Sequence, residues 1–515
     1  MWSYIAKIAF FSCLLLLFSG GVHAKKWDFQ PKLSLIESYY DNITLAEQNK
    51  NKELVTQVET GFSLSKSSRR IQLASDYAFG YTKYLGNDFS DGAYNRASAS
   101  VNVEAIRRHF FVNANASISQ QVVDPSQASS NDVAFVSDNQ TETRTISVQP
   151  RLINRFGRYA NSDLSFEYIL ANYSNATLSD SRQSTIEYNL ISGRWFKRAN
   201  WSANVTRTNS NQVDEGSSSA QLRIEYDLSQ HWTVFLLGRA QKHDFLANTF
   251  SQTQSDMSRY YINPEAGVIW VASRKLKVEV GGGGRLNAKD LGDRKFTIEN
   301  PTWRAIVNLA PSKRTGLSFG RDSSIFGDRK FFDLSIRTRR TNWTSGYSET
   351  LITPQQLRID SSFDASAFSG ASSSGELPFS QELGRAVTND VILRKRLDFD
   401  AAIKSRILTL SGGVFHDSGE YQTVNLNDKR YGVNGGLDLA LGRSMSWSNQ
   451  VSAQRYYFDG SIRVDHIYTA NSSLSRRIKK NMNVNLEYRW QKRASQEANA
   501  KYTAQQLTAR LDVTF

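Results

Sequence analysis

The sequence predicts an all-β fold: a transmembrane antiparallel up-and-down β-barrel of about 24 strands, within a range of about 20 to 26, with short periplasmic turns and long extracellular loops. Three observations predict it. Apolar and polar residues alternate with a period of two from Trp27 to Phe515. The connections between the alternating segments are in turn short and basic, or long and polar. The two ends carry an export-type leader and an alternating strand that stops on an aromatic residue.

The N-terminus comes first. Met1 to Lys7 is a short region with one basic residue, and Ile8 to Phe18 is an apolar run. A run of that length suits the core of a signal peptide, and a helix crossing a bilayer needs about 20 apolar residues. Val22-His23-Ala24 offers a cleavage point before Lys25, so residues 1–24 are read as a signal peptide and 25–515 as the barrel. A lipoprotein cysteine would end the apolar run, whereas Cys13 is followed by Leu14 to Leu17. Cys13 is the sole cysteine, so the exported part has none for a disulfide, a thiolate metal site or a thiol nucleophile. The chain is basic, with 63 Lys+Arg against 49 Asp+Glu. Export argues against a nucleic-acid partner, and the placement of the charge explains it better. Mean hydropathy is −0.47, which suits a barrel because alternating strands average out in any window.

The strands follow. In Ala220-Leu222-Ile224-Tyr226-Leu228 the intervening residues are Gln221, Arg223, Glu225 and Asp227. Met482-Val484-Leu486-Tyr488-Trp490 alternates with Asn483, Asn485, Glu487 and Arg489. That is the pattern of a strand with one apolar face. Lipid lacks hydrogen-bonding groups, so each unpaired edge group would cost several kcal/mol there and the sheet must close. If the apolar parity meets lipid, the lumen is lined by Asn113, Asn115, Ser117, Asp163, Glu167, Glu187, Asn189, Arg223, Glu225, Asp227, Arg394, Arg396, Asp398, Asp400, Glu487, Arg489, Arg510 and Asp512. These mixed-sign side chains predict cross-strand pairs in a hydrated interior rather than a strongly ion-selective filter.

The connections alternate between two kinds. The short ones run through Lys66, Arg69 and Arg70; Arg107 and Arg108; Arg155 and Arg158; Arg194, Lys197 and Arg198; Ser229 to His231; Arg274 and Lys275; Lys313 and Arg314; Arg337, Arg339 and Arg340; Lys404 and Arg406; Arg443; and Arg476, Arg477, Lys479 and Lys480. Together they hold 24 Lys/Arg and no Asp or Glu. Such a basic rim would attract anionic headgroups or an anionic polymer entering the pore, or simply anchor the barrel at the interface. The long ones include 41–52, 124–143, 209–219 and 247–258. The longest, 351–390, has a Ser/Ala/Gly-rich stretch and is expected to act as a lid or plug or to hide an extra hairpin.

Tryptophans mark the interfaces. Trp27, Trp201, Trp232, Trp343 and Trp447 stand near the start of strands, and Trp270 near the end of one, all beside short turns. That is the placement of an aromatic girdle, with Trp303 and Trp490 toward the other rim. The last strand, with Leu511, Val513 and Phe515, resembles the C-terminal signal that the outer-membrane barrel assembly machinery reads.

Catalytic and metal chemistry is not indicated. His109, His231, His243, His416 and His466 lack ligand spacing to one another. The one suggestive cluster, His416-Asp417-Ser418, reads as a surface feature at a loop entrance. Gly281 to Gly284 lies inside a strand with no helix after it, so close packing or curvature accounts for it better than phosphate binding. No cofactor is expected.

Short blocks carry a family likeness. They are Trp27-Asp28-Phe29, Pro31, Glu37, Tyr40-Asp41-Asn42-Ile43 and Leu45, then Val55-Thr56, Val58, Gly61, Leu64, Arg70, Leu73 and Tyr77. Arg339-Arg340-Thr341-Asn342-Trp343 with Tyr347 and Glu349, and Thr388-Asn389-Asp390-Val391, continue it. The chain resembles the PEP-CTERM-system-associated outer-membrane protein family, departing at Thr60, where the family pattern has Pro before Gly61. The resemblance implies a barrel of similar length found with exosortase and exopolysaccharide gene clusters, and supplies no catalytic residues. The expected partners are outer-membrane lipid, the assembly machinery, and an exopolysaccharide or the proteins that make or export it. The expected function is a passive channel or assembly component, against a non-conducting structural protein or a general porin.

Overall fold

The computed structural model describes residues 27–86, 88–124, 126–128, 130, 132–175, 178–211, 216–247, 255–286, 298–324, 326–352, 391–421, 426–459 and 463–515. The expected signal peptide and residues 353–390 of the longest connection lie outside them.

Alternation along the chain becomes 24 strands of one sheet. In order they are β1 (Asp28–Tyr40), β2 (Glu53–Ser67), β3 (Ile71–Tyr84), β4 (Gly92–Ile106), β5 (Phe110–Val122), β6 (Gln140–Phe156), β7 (Ala160–Tyr173) and β8 (Ser181–Ser192). Next come β9 (Ala199–Ser210), β10 (Gly216–Asp227), β11 (Trp232–Ala247), β12 (Ser255–Ser273), β13 (Leu276–Leu286), β14 (Ile298–Ser312), β15 (Thr315–Ser324) and β16 (Gly327–Arg337). The set ends with β17 (Thr341–Ile352), β18 (Ile392–Lys404), β19 (Leu408–Tyr421), β20 (Asn427–Ala440), β21 (Met445–Phe458), β22 (Arg463–Lys479), β23 (Met482–Ala494) and β24 (Tyr502–Thr514).

Every strand pairs antiparallel with its sequence neighbours, and β24 returns to β1. The closing register runs from Lys32↔Thr514 to Tyr40↔Gln506. Closure leaves no strand without a neighbour on both sides, which is how a wall in lipid satisfies its backbone without water. Strands about 4.8 Å apart and tilted by about 40° give a circumference of about 150 Å, hence a backbone diameter near ~50 Å for a circular section.

The apolar parity faces outward. Leu33, Leu35 and Tyr39 of β1, Leu222, Ile224 and Tyr226 of β10, and Leu507 of β24 are all exposed. A wall with its large apolar side chains outside and its charges inside is inverted relative to a water-soluble fold, and suits acyl chains. Strands run from 10 residues in β15 to 19 in β12. A tilted span needs about 9–11, so the longer strands project beyond the hydrocarbon. Among the described residues no helix is long and apolar enough to cross a membrane. The crossing is made by strands.

The asymmetry of the ends is softer than the sequence pattern suggests. All the short connections read from the sequence lie at the end that holds the start of β1 and the end of β24. At the far end, the expected connections 124–143, 209–219 and 247–258 contract to 123–139, 211–215 and 248–254 because the flanking strands continue through their polar residues. The β15–β16 connection takes only residues 325–326, with Gly327 at φ +116° closing the turn. Polar strand tips outside the bilayer look like loop in a sequence, since nothing there requires an apolar face.

Candidate pore and its two rims

The luminal wall is built from charged side chains on the inward parity, joined across several strands. Arg223 on β10 donates from Nη1 and Nη2 to the two carboxylate oxygens of Glu279 on β13 (3.1 and 2.8 Å), and from Nε to Glu225 (2.7 Å). Reaching across two intervening strands requires a low wall between them. Inward positions there are Gly267 on β12 and Gly281 on β13, with the ring of Phe235 from β11 laid over both. A Cβ at Gly281 would meet Phe235 Cζ at 2.7 Å, and the Arg223 guanidinium stacks 4.6 Å from the ring centre. Gly281 of the run in β13, with Gly267 of β12, is thus a bed for an aromatic platform.

The chain of charges continues. Arg304 Nε bonds Glu279 (2.5 Å), and its Nη1 lies 3.5 Å from Asp322, which Arg329 grips at 2.8 and 2.7 Å. Arg239 lies 3.5 Å from Asp322 and 3.8 Å from Glu265. The same device recurs twice. Phe415 covers Gly432 beneath Arg430 (4.8 Å), while Asp417 is held by Arg394 at 2.9 and 2.6 Å. Tyr94 covers Gly80 and donates its hydroxyl to Glu59 (2.7 Å), which also pairs with Arg96 and with Arg510 (3.1 Å).

Several of the expected luminal residues make contacts of the same kind. Asp163 pairs with Arg151 (2.8 Å), Asp227 accepts the Thr233 hydroxyl (2.6 Å), Arg396 lies 3.5 Å from Asp398, Arg489 lies 3.4 Å from Glu487, and Arg510 donates to Asp512 (2.7 Å). Glu59, Glu265, Glu279, Arg304, Asp322 and Arg430 are equally central, yet the strand patterns singled out in the sequence do not include them. Their signal is an inward charge placed laterally to an inward glycine, which shows only once the register is known.

One mouth is narrowed by a fastened loop. The β5–β6 connection leans over strands several places along the wall. Arg493 donates to the carbonyls of Gln127 (2.5 Å) and Ser126 (3.0 Å) while paired with Asp465 (2.6 and 2.9 Å). Arg463 also reaches the Ser126 carbonyl and pairs with Asp465. The carboxylate of Asp132 accepts from the Tyr40 hydroxyl and from Gln506 Nε2, each at 3.0 Å. Below this polar clasp lies an apolar core of Tyr40, Ile43, Leu45, Val55, Ala134, Phe135, Tyr502 and Ala504. Asn42 is buried and ties the β1–β2 connection down through Ala46 (2.7 Å) and the Thr503 carbonyl (3.0 Å). Residues 40–45 of the resemblance block therefore build the mouth. A cleft of about 660 Å³ between these loops is lined by polar groups including Glu47, Gln48, Gln127, Asn139 and Asn499.

The other rim carries the basic turns. Arg69, Arg70, Arg107, Arg108, Arg155, Arg158, Lys197, Arg198, Arg274, Lys275, Lys313, Arg314, Arg339, Arg340, Lys404, Arg406, Arg476, Arg477, Lys479 and Lys480 are all exposed, and Lys66 is half-buried. Lys66 sits 4.2 Å from the Trp27 ring and Arg158 4.1 Å from that of Trp195. Among the described residues none of these cations forms an ion pair, whereas the luminal arginines of the networks above do.

Outward tryptophans flank that rim. Trp232 and Trp270 are cross-strand partners, exposed and stacked at 6.2 Å. Trp343 packs near Phe399 (5.9 Å), Trp447 donates its indole N–H to Ser472 (3.0 Å), and Trp201 faces Phe196 (6.1 Å). On β24, Leu511 and Val513 register with Leu35 and Leu33 of β1, and the Phe515 amide donates to the Pro31 carbonyl (3.0 Å).

His416, Asp417 and Ser418 do not converge, and they are not at a loop entrance. His416 lies within β19 and packs edge-on against Tyr431 (4.5 Å). Asp417 is on the opposite parity, fully buried beside Arg394. Adjacent strand residues face opposite sides of a sheet, so this trio shares no space. Among the described residues no group of three or more His, Asp or Glu could hold a metal ion.

No family model matches the chain, and no curated protein matches it. Solved structures do. The FrpB iron transporter from Neisseria meningitidis (F3-3 variant) matches with a TM-score of 0.47 at 9% identity, covering 96% of this chain and 82% of that one. The siderophore receptor PirA from Pseudomonas aeruginosa gives 0.39 at 10% identity, covering 95% and 80%. OccAB1 from Acinetobacter baumannii gives 0.36 at 8% identity, covering 96% and 98%. Identities this low say nothing about what the present chain carries.

Proposed function

We propose that this protein is a passive, porin-like channel of the outer membrane. One observation carries the reading: a closed wall of 24 strands presents apolar side chains outward and networks of paired charges inward. A barrel of this strand number encloses far more space than its own inward side chains fill, as barrels of 16 strands or more already do. The luminal arginines of these networks are paired with acids, so selectivity between small cations and anions should be weak. Purified protein in planar bilayers should show discrete conductance steps. A folded barrel that conducts in no lipid would overturn the reading.

A second reading is favoured by the clasped mouth and the full burial of Asp417 and Asp465. In it the barrel is a sealed scaffold for other envelope proteins, which pull-downs would recover while the bilayer stays silent. The link to exopolysaccharide export rests on the sequence resemblance alone. It predicts that deletion of the gene lowers surface polysaccharide, and unchanged polysaccharide would remove it.

A further inference from the structure

We infer that the turn-side rim is a collar that captures a polyanionic chain at the pore mouth. The capture itself needs only the rim; that the chain then enters the lumen rests on the channel reading.

The short connections bring 24 Lys/Arg and no Asp or Glu to one end of the barrel. Spread over a circumference of about 150 Å, that is one positive charge every ~6 Å, closer than the Debye length of about 10 Å at 0.1 M salt, so their fields merge into one positive band. Few acids stand near it, and Asp28 at the start of β1 accepts from Gln30 (3.1 Å) rather than pairing with a rim cation. Glu104 accepts the Arg108 amide (2.5 Å), Asp227 the Thr233 hydroxyl and Asp438 the Ser448 hydroxyl (both 2.6 Å), and among the described residues none of these acids pairs with a rim cation. The luminal wall behaves differently, since Arg223, Arg394, Arg493 and Arg510 there each pair with an acid.

Parity chooses between two anionic occupants. Cations that serve to hold lipid headgroups belong on the outward parity of strand ends, where they lie along the acyl boundary. Lys66 and Arg476 do fall there, in step with outward Leu54 and Val58 on β2 and with Tyr468 on β22. Arg155, Arg337, Lys404 and Arg477 fall on the opposite parity. Arg155 is adjacent to outward Phe156, Lys404 to outward Ile403, and Arg477 to Arg476, while Arg337 follows Ile336, the register partner of Trp343. These four border the opening, three of them clustered on β16, β18 and β22 and Arg155 across the ring on β6. A flexible polymer with repeated carboxylate or phosphate groups can touch several at once, and multivalency then supplies the affinity that no single exposed cation has.

The test uses the full barrel in nanodiscs of uncharged lipid, with fluorescent polyglutamate as the probe and anisotropy as the readout. Binding should appear at about 0.01 M NaCl and fall steeply by about 0.1 M, as the Debye length shrinks from about 30 to about 10 Å. Replacing Arg155, Arg337, Lys404 and Arg477 together by Gln should weaken it at least about tenfold, and Lys66→Gln with Arg476→Gln by less than about twofold. Heat-modifiable migration checks folding, and the pair Arg337→Gln with Lys404→Gln replaces the quadruple variant if that fails to fold. No binding at low salt, or equal losses from both sets, would overturn the proposal. So would an outcome in which polyglutamate is ignored while anionic lipid in the disc is bound through Lys66 and Arg476, since the rim would then be a lipid anchor. Because binding is read without current, a silent bilayer would defeat the channel and leave the collar standing.

Discussion

At the scale of single residues the lumen is organised by glycines that let aromatic rings lie flat. Phe235 over Gly267 and Gly281 raises a platform on which Arg223 crosses to Glu279. Phe235→Ala removes both the ring and the support for that pair. Truncation of a buried Phe costs about 3–5 kcal/mol, and urea titration of refolded protein in vesicles should show a loss of that order. The two faces of the glycine run also differ. A Cβ at Gly283 would collide with the Pro264 carbonyl oxygen, whereas one at Gly282 meets nothing closer than the Thr302 carbonyl at 3.5 Å. Gly283→Ala should therefore destabilise the barrel clearly, by about 1–3 kcal/mol as overpacking does, and Gly282→Ala should change stability by under ~0.5 kcal/mol in the same titration.

At the scale of elements the informative piece is the β5–β6 connection, held by Arg463, Arg493, Tyr40 and Gln506. Replacing Arg463 and Arg493 by Ala leaves Asp465 buried without its two guanidinium partners and frees the carbonyls of residues 126 and 127. Amide exchange across residues 124–139 should then rise by an order of magnitude or more, with larger or noisier conductance steps; an unchanged exchange pattern would mean that the loop is held by its apolar core instead. Strands were legible in the sequence because lipid on one side and water on the other enforce a period of two, as in residues 220–228. The short turns were legible because nearly all of them are basic. The clasp was not legible, since Arg493 and Ser126 are brought together by folding across a distance of 367 residues. Pairing among luminal charges was legible but the partners were not, because Arg223 and Glu279 meet only through a register that glycines permit. Strand tips beyond the bilayer, such as Gln140 to Thr143, read as loop because no acyl chain demands an apolar face there, so Thr141 and Thr143 are buried yet polar.

At the scale of the whole molecule one rule accounts for closure, for inverted polarity and for the segregation of charge: alternate side chains meet acyl chains and their neighbours meet water. The rule is directly measurable, because Cys13 is the sole cysteine and lies in the expected leader, so single cysteines can be placed at will. Spin labels at each position from Gln221 to Tyr226, in protein reconstituted in bilayers, should be relaxed in turn by a water-soluble nickel complex and by oxygen dissolved in the lipid. Leu222, Ile224 and Tyr226 should follow oxygen, and Gln221, Arg223 and Glu225 should follow nickel. Loss of that two-residue period, or nickel access at every position, would contradict the barrel and everything inferred from it.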